Sequence, residues 1–265
     1  MLVMADQKFE FDVQGYMHLR GVISTEEQLA FLKWADEAVA RGPVTKDAVI
    51  PEGYKAEYLN RPVSRIIDAD PRFGACLTHP AVEPFLTEFV GPNYKHIDND
   101  LLFTVPGYKG GAWHRGVREH PTGHVVNGKF ICPMVKVFYC LSDVGPGDGE
   151  FAVVPGSHRS AFPLELADRV DLPGQHVFSN VRSGDVIIFN EALLHNGRPN
   201  VSAKTRKTIV VNLGRSDAGV WQGYAPLPET LAAVTPRQRE ILSNHSPVWI
   251  EPDTRTEAYT ALHTK

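Results

Sequence analysis

Two histidines lie at either end of a β-rich stretch of this chain, each within a run of small and turn-forming residues. His114 sits in Gly110-Gly111-Ala112-Trp113-His114-Arg115-Gly116-Val117-Arg118-Glu119, and His195 opens His195-Asn196-Gly197-Arg198-Pro199. They are 81 residues apart (195 − 114), and Arg206 follows the second by 11 (206 − 195). Imidazole is the commonest metal-binding side chain, and the planar guanidinium fork matches a carboxylate. Those residue types can hold a metal and an organic acid, but spacing alone does not say that these do. A lone histidine is usually structural, and Arg206 stands beside Lys204 and Lys207 as a solvated basic face would.

Other residues carry weaker signals. Arg115, Arg118, His120 and His124 make the loop after His114 basic, with Lys129 a little further on. That suits a phosphate or carboxylate on a substrate, and equally a solvated loop at a rim. Lys136 interrupts an apolar strand, so it faces either an anion-binding site or solvent. If Arg206 points inward, the period of two puts Thr208 on the same face as a second donor. Trp113, Phe138, Tyr139, Trp221 and Tyr224 offer stacking surface or core. His158 reads as a turn element, and His18, His79, His96, His176, His245 and His263 carry no spacing signal.

The elements that must position these residues change in kind along the chain. Phe9-Glu10-Phe11-Asp12-Val13 reads as a short strand, followed by a second strand-like run over Gly15–Ile23. Ser24-Thr25-Glu26-Glu27 then starts a helix to about Ala40, stopped by Gly42-Pro43. An irregular segment runs to about Asp70, and a second helix is expected from Pro80 to Val90. From about Lys95 the pattern is that of strands, over 96–105, 135–141, 151–154, 186–189 and 208–213. Gly, Pro and Asp turns separate them with no helices between, which predicts an antiparallel sandwich or jelly roll. A Pro-rich tail from about Pro226, with a short helix near 235–243, is expected to wrap the barrel.

Composition sets the bounds. With 265 residues, 43% hydrophobic and 22% charged, the chain has the make-up of one ordinary globular domain, 1–265. A net charge of −4 gives no general attraction to nucleic acid or anionic membranes. No apolar run approaches the roughly 18 residues that span a bilayer. Asp6, Lys8 and Glu10 near Met1 do not read as a signal peptide. Cys76, Cys132 and Cys140 lack CxxC spacing and read as buried free thiols, so a cytoplasmic location is expected.

Several motifs then match in order. They are Trp113-His114, the turn Leu141-Ser142-Asp143-Val144-Gly145-Pro146-Gly147-Asp148-Gly149, and Val154-Pro155-Gly156-Ser157-His158. Gly184-Asp185-Val186-Ile187-Ile188-Phe189, His195 and Arg206 follow. Over about 95–215 the chain resembles the phytanoyl-CoA dioxygenase family. The resemblance implies an all-β core with flanking helices, folded as a double-stranded β-helix (a cupin-like jelly roll). It implies iron(II) on His114 and His195, with 2-oxoglutarate chelating the metal. The far carboxylate of 2-oxoglutarate would lie on Arg206, with Thr208 and Lys136 as further contacts.

The chain departs from the family at Gly116, where the pattern has the aspartate of His-x-Asp. That aspartate completes a face of two histidines and one carboxylate. Members with Gly or Ala there resemble iron halogenases, in which chloride takes the open position and restores the charge. The resemblance therefore implies a chloride site at Gly116. A substrate carbon radical would then take chlorine in place of hydroxyl.

The expected function is an iron(II), 2-oxoglutarate and chloride dependent halogenase. It would act with O2 on a free, anionic small molecule such as a purine deoxynucleoside monophosphate. Trp113, Arg118 and Glu119 are its expected substrate contacts. One rival is a hydroxylase in which Glu119 or water replaces the lost ligand, with Glu191 and Glu150 as lesser stand-ins. The other is a barrel that only binds small molecules, against which the intact His114, His195 and Arg206 argue.

Overall fold

The computed structural model describes residues 3–41, 62–116, 124–126, 129–160, 164–166, 169–218 and 225–243. Its N-terminal half holds α1 (Ala5–Gln14), β1 (Tyr16–Leu19), α2 (Thr25–Arg41), β2 (Val63–Ser64), α3 (Ile66–Ala69), α4 (Glu83–Phe89) and β3 (Lys95–Thr104). The hairpin β4 (His124–Val126) and β5 (Lys129–Ile131) leads to β6 (Met134–Cys140), β7 (Phe151–Val153) and β8 (His176–Val177). β9 (Val186–Asn190), β10 (His195–Gly197) and β11 (Arg206–Gly214) complete the strands, and α5 (Pro228–Ala233) and α6 (Pro236–Ser243) end the described chain.

Two antiparallel sheets face each other. The larger runs β1-β9-β6-β11-β3-β2 and the smaller β10-β7-β8. Alternation along each strand divides the larger sheet into two faces. One face carries Leu101, Val135, Val137, Tyr139, Ile188 and Ile209, packed with Phe31, Phe73, Leu77 and Phe85 from the helical side. The other carries Phe138, Ile187, Phe189 and Val210 towards Phe151, Val153 and Phe178 of the smaller sheet region. The β-branched and aromatic runs legible in the sequence are thus the walls of a sandwich, with helices on one outer face.

The first element differs from its expectation. Residues 9–13 belong to α1 and not to a strand, because the alternation of Phe9, Phe11 and Val13 does not report burial. Phe11 is buried and stacks on Phe89 with ring centroids 3.8 Å apart, whereas Phe9 is 71% exposed. Gly15 ends the helix at φ 83, its N–H donating to the Phe11 carbonyl at 2.8 Å. α2 begins where Ser24 placed it, since Ser24 and Glu27 bond reciprocally, Ser24 N–H to Glu27 Oε2 at 3.0 Å and Glu27 N–H to Ser24 Oγ at 3.3 Å. Within the segment expected to be irregular, β2 pairs with β3 and Arg65 turns the chain at φ 57 into α3.

The tail packs on the helical side, with Val234, Ile241 and Leu242 in the same core as Phe85. No helix among the described residues is long and apolar enough to cross a membrane. All three cysteines are buried and unbridged, and burial pushes the Cys140 thiol up to about 12, so it is held protonated.

Candidate active site

His114 and His195 meet as a cross-strand pair. Each donates its backbone N–H to the other's carbonyl at 3.0 Å, so both side chains project from the same face. Their rings lie 4.2 Å apart between centroids. His114 Nδ1 is 2.8 Å from the Ala112 carbonyl and His195 Nδ1 is 2.8 Å from the Leu193 carbonyl. Those contacts fix each ring with Nδ1 as the donor and leave Nε2 as a lone pair aimed away from the backbone. Burial, then the positive charge at His114 and Lys136, keeps His195 well below the usual imidazole range, in the neutral form a ligand needs.

The position expected to hold chloride has a carboxylate next to it. Gly116 N–H donates to the backbone carbonyl of Glu191 at 2.8 Å, which sets the two residues side by side. Glu191 is fully buried, with Oε2 at 4.0 Å from His195 Nε2. Its Oε1 is ion-paired with Lys136 Nζ, yet neither oxygen accepts a well-directed hydrogen bond among the described residues. Lys136 faces the cavity, as its inward alternative required, but its charge is already matched by Glu191. Among the described residues no group of three His, Cys, Asp or Glu side chains is drawn together tightly enough to hold a metal as it stands.

Arg206 lies on the same cavity. It is 6% exposed at the start of β11, opposite Thr104. Its Nη1 donates to the Gly149 carbonyl at 2.6 Å, while Nε has no hydrogen-bond partner among the described residues. A buried guanidinium, anchored at one nitrogen and unsatisfied at another, is poised for an acid that the cavity would admit. Gly149 makes the anchor possible: its φ is +76, and a Cβ there would come within 2.5 Å of Thr104 Cγ2. Gly149→Ala is therefore expected to cost about 1–3 kcal/mol of stability and to weaken dicarboxylate binding. Thermal melts and a 2-oxoglutarate titration measure both, and an unchanged affinity would show that the anchor is dispensable.

Sequence reasoning missed part of the wall. Asp98 and Asp100 of β3, with Tyr108, Asn196 and Asn212, line the cavity beside His114, His195, Lys136 and Arg206. The signal was there: Asp98 and Asp100 sit at alternate positions of a strand whose Leu101 and Phe103 face the helical core. Asn196 Oδ1 and Asn212 Oδ1 are buried without partners among the described residues.

Of the remaining candidates, Thr208 shares the Arg206 face but lies buried between Leu102 and Cys140, outside the cavity lining. Trp113, expected against substrate, packs with Ala152, Leu172 and Leu194 and lines an adjoining hollow that shares Gly111, Asn196 and Gly197 with the cavity of the histidines. Phe138 does line it, whereas Tyr139 donates to the Cys76 carbonyl on the helical side. Arg118, Glu119, His120, Trp221 and Tyr224 lie outside the described residues. His158 is buried, with Nε2 3.1 Å from the Asp12 carbonyl, which fits its reading as a turn element.

The pair of ring nitrogens, the nearby carboxylate and the unsatisfied guanidinium fit iron(II) and 2-oxoglutarate as a group. Solved structures share this architecture. HygX from Streptomyces hygroscopicus, with nickel and 2-oxoglutarate bound, superposes with a TM-score of 0.66 at 22% identity, over 83% of this chain and 90% of that one. The same protein with nickel, 2-oxoglutarate and hygromycin B gives 0.64 at 25% identity over the same shares, 83% and 90%. SnoK, a non-heme alpha ketoglutarate dependent carbocyclase from nogalamycin biosynthesis, gives 0.62 at 22% identity, over 83% and 89%. The fold is accordingly the double-stranded β-helix expected.

Among curated proteins, the ectoine dioxygenase of Sphingopyxis alaskensis is 25% identical over 203 residues, 72% of this chain and 60% of its own length. Dioxygenase olcK of Penicillium canescens is 26% identical over 132 residues, 47% of this chain and 42% of its own. The chain spans about half the length of the curated relatives it matches. The family model described as Phytanoyl-CoA dioxygenase (PhyH) matches residues 11–208, and the chain belongs to that family of iron- and 2-oxoglutarate-dependent oxygenases.

Proposed function

We propose that this chain oxidises a C–H bond of a small polar molecule at the expense of 2-oxoglutarate. In balanced form, R–H, 2-oxoglutarate and O2 become R–OH, succinate and CO2. The observation that carries the reading is the joint placement of His114, His195 and Arg206 on one cavity, with Arg206 Nε unsatisfied. The two histidines would hold iron(II) through Nε2, and Arg206 would take the far carboxylate of 2-oxoglutarate. Iron(II) bound there would supply the redox chemistry that couples O2 to the loss of CO2. The chain's own work is to orient the dicarboxylate and to keep the buried His195 imidazole neutral.

Relatives that hold hygromycin B or are named for ectoine support a small, polar substrate. The purine deoxynucleotide expected from sequence drew on Arg118, which lies outside the described residues, and the cavity wall contributes Asp98 and Asp100 instead. Chlorination is the second reading, favoured by one observation: position 116 brings no acid to His114.

Mass spectrometry of products separates the two readings. The protein is incubated with iron(II), 2-oxoglutarate, O2 and a panel of polar metabolites, with chloride or bromide as the salt. The proposal expects products heavier by one oxygen in either salt. A product carrying the halide's isotope pattern would establish chlorination. Succinate formation that no member of the panel stimulates, across a broad panel, would count against both.

A further inference from the structure

Given that this cavity takes iron(II) and 2-oxoglutarate, we propose that Glu191 supplies the carboxylate missing at position 116 and is the third protein ligand of the metal. The backbone of Glu191 abuts that of Gly116, whose N–H its carbonyl accepts at 2.8 Å. An acid lost from one residue is thus regained from its neighbour in space, and the glutamate's extra methylene covers the added reach. Its Oε2 lies 4.0 Å from His195 Nε2. Donors on one ion with bonds of about 2.1 Å stand about 3 Å apart when adjacent and about 4 Å when opposite. At 4.0 Å from His195 Nε2, Oε2 stands within the span that two donors of one ion can have.

The two oxygens have separate uses. Oε1 is held by Lys136, and Oε2 has no hydrogen-bond partner among the described residues. A buried oxygen without a hydrogen-bond partner carries a cost, and a metal ion beside His195 would satisfy Oε2 as Lys136 satisfies Oε1. Lys136 then acts as a positioning residue, steering the carboxylate through Oε1 much as outer-shell partners orient metal-bound acids. With Glu191 in place the oxygen ligand lost at Gly116 is restored from within the chain, and chloride is not needed to fill that position.

Cobalt(II), titrated anaerobically into the metal-free full chain and followed by its visible absorption, tests this. In the wild type, affinity should be the same within about twofold in chloride and in methanesulfonate. Tightening by chloride of tenfold or more would reveal an unfilled position and overturn the proposal. Glu191→Gln should lose more than the roughly 10–100-fold typical of an outer-shell partner. Gly116→Asp, added to Glu191→Ala, should recover most of the loss seen in Glu191→Ala alone. Binding by a folded Glu191→Gln chain within threefold of wild type, with the same spectrum, would sink the assignment. Thermal melts separate an unfolded variant from a folded one, and the wild-type chloride comparison stands whatever the variants do. If the wild type binds no cobalt, or its spectrum ignores 2-oxoglutarate, the fault lies with the proposed function and not with Glu191.

Discussion

Replacing Arg206 by alanine is expected to weaken 2-oxoglutarate binding by on the order of 10²-fold or more, leaving metal affinity within a few-fold. Hydrogen bonds to charged groups are worth about 1.5–3 kcal/mol each, and a guanidinium fork makes two to a carboxylate. Among the described residues no second arginine lines the cavity. Thr208 lies off the lining, and Lys136 is committed to Glu191 near the histidines. Arg206 is also held ready to bind, because the Gly149 carbonyl fixes Nη1 and little rotamer freedom remains to be lost. Arg206→Lys should recover only part of the loss, because it restores the charge without the planar fork. Calorimetric titration of 2-oxoglutarate into the metal-loaded protein reads both variants. An affinity equal to wild type in Arg206→Ala would show that another group holds the carboxylate.

Loss of either imidazole should have the larger effect on the metal. His114→Ala and His195→Ala are each expected to reduce iron from about one per chain to a trace after desalting, since removing a direct ligand exceeds the ~10–100-fold cost of disturbing its supports. The two variants differ in how cleanly they can be read. His114 is exposed, so its loss should leave the fold intact. His195 is 3% exposed against Phe151 and Phe189, so its truncation also opens a cavity. Metal analysis by mass spectrometry, paired with a thermal melt, distinguishes a missing ligand from a missing fold. Wild-type iron content in a folded His114→Ala chain would remove that residue from the centre.

Much of this is legible in the chain. The strands of the larger sheet other than β2 announce themselves because β-branched and aromatic residues fill both faces of a sandwich. The histidine pair and Arg206 stand out through ordered motifs. β10 does not, because His195-Asn196-Gly197 is polar and only three residues long, and its strand character comes from pairing with β7. α1 reads as a strand because an alternation of apolar residues can arise without burial. Glu191 ranks low among the stand-in acids because four residues of separation say nothing of how the turn after β9 folds. That turn returns the chain beside Gly116, which only the antiparallel pairing of His114 with His195 reveals. Lys136 is undecidable by alternation alone. Its register opposite Asn212 and Phe189 settles the face.

The chloride question turns on the same geometry. A glycine at position 116 reads as a vacancy along the chain, but in space it adjoins a buried acid. Glu191 at the metal would move the chemistry expected from chlorine transfer towards oxygen transfer.

The most direct test is the affinity for 2-oxoglutarate with and without bound iron(II), measured under strict exclusion of O2. A keto acid that chelates a metal held by His114 and His195, and pairs with Arg206, should bind at least tenfold more tightly once iron is present. Equal affinity in the two states, or no retention of iron at all, would contradict the site described.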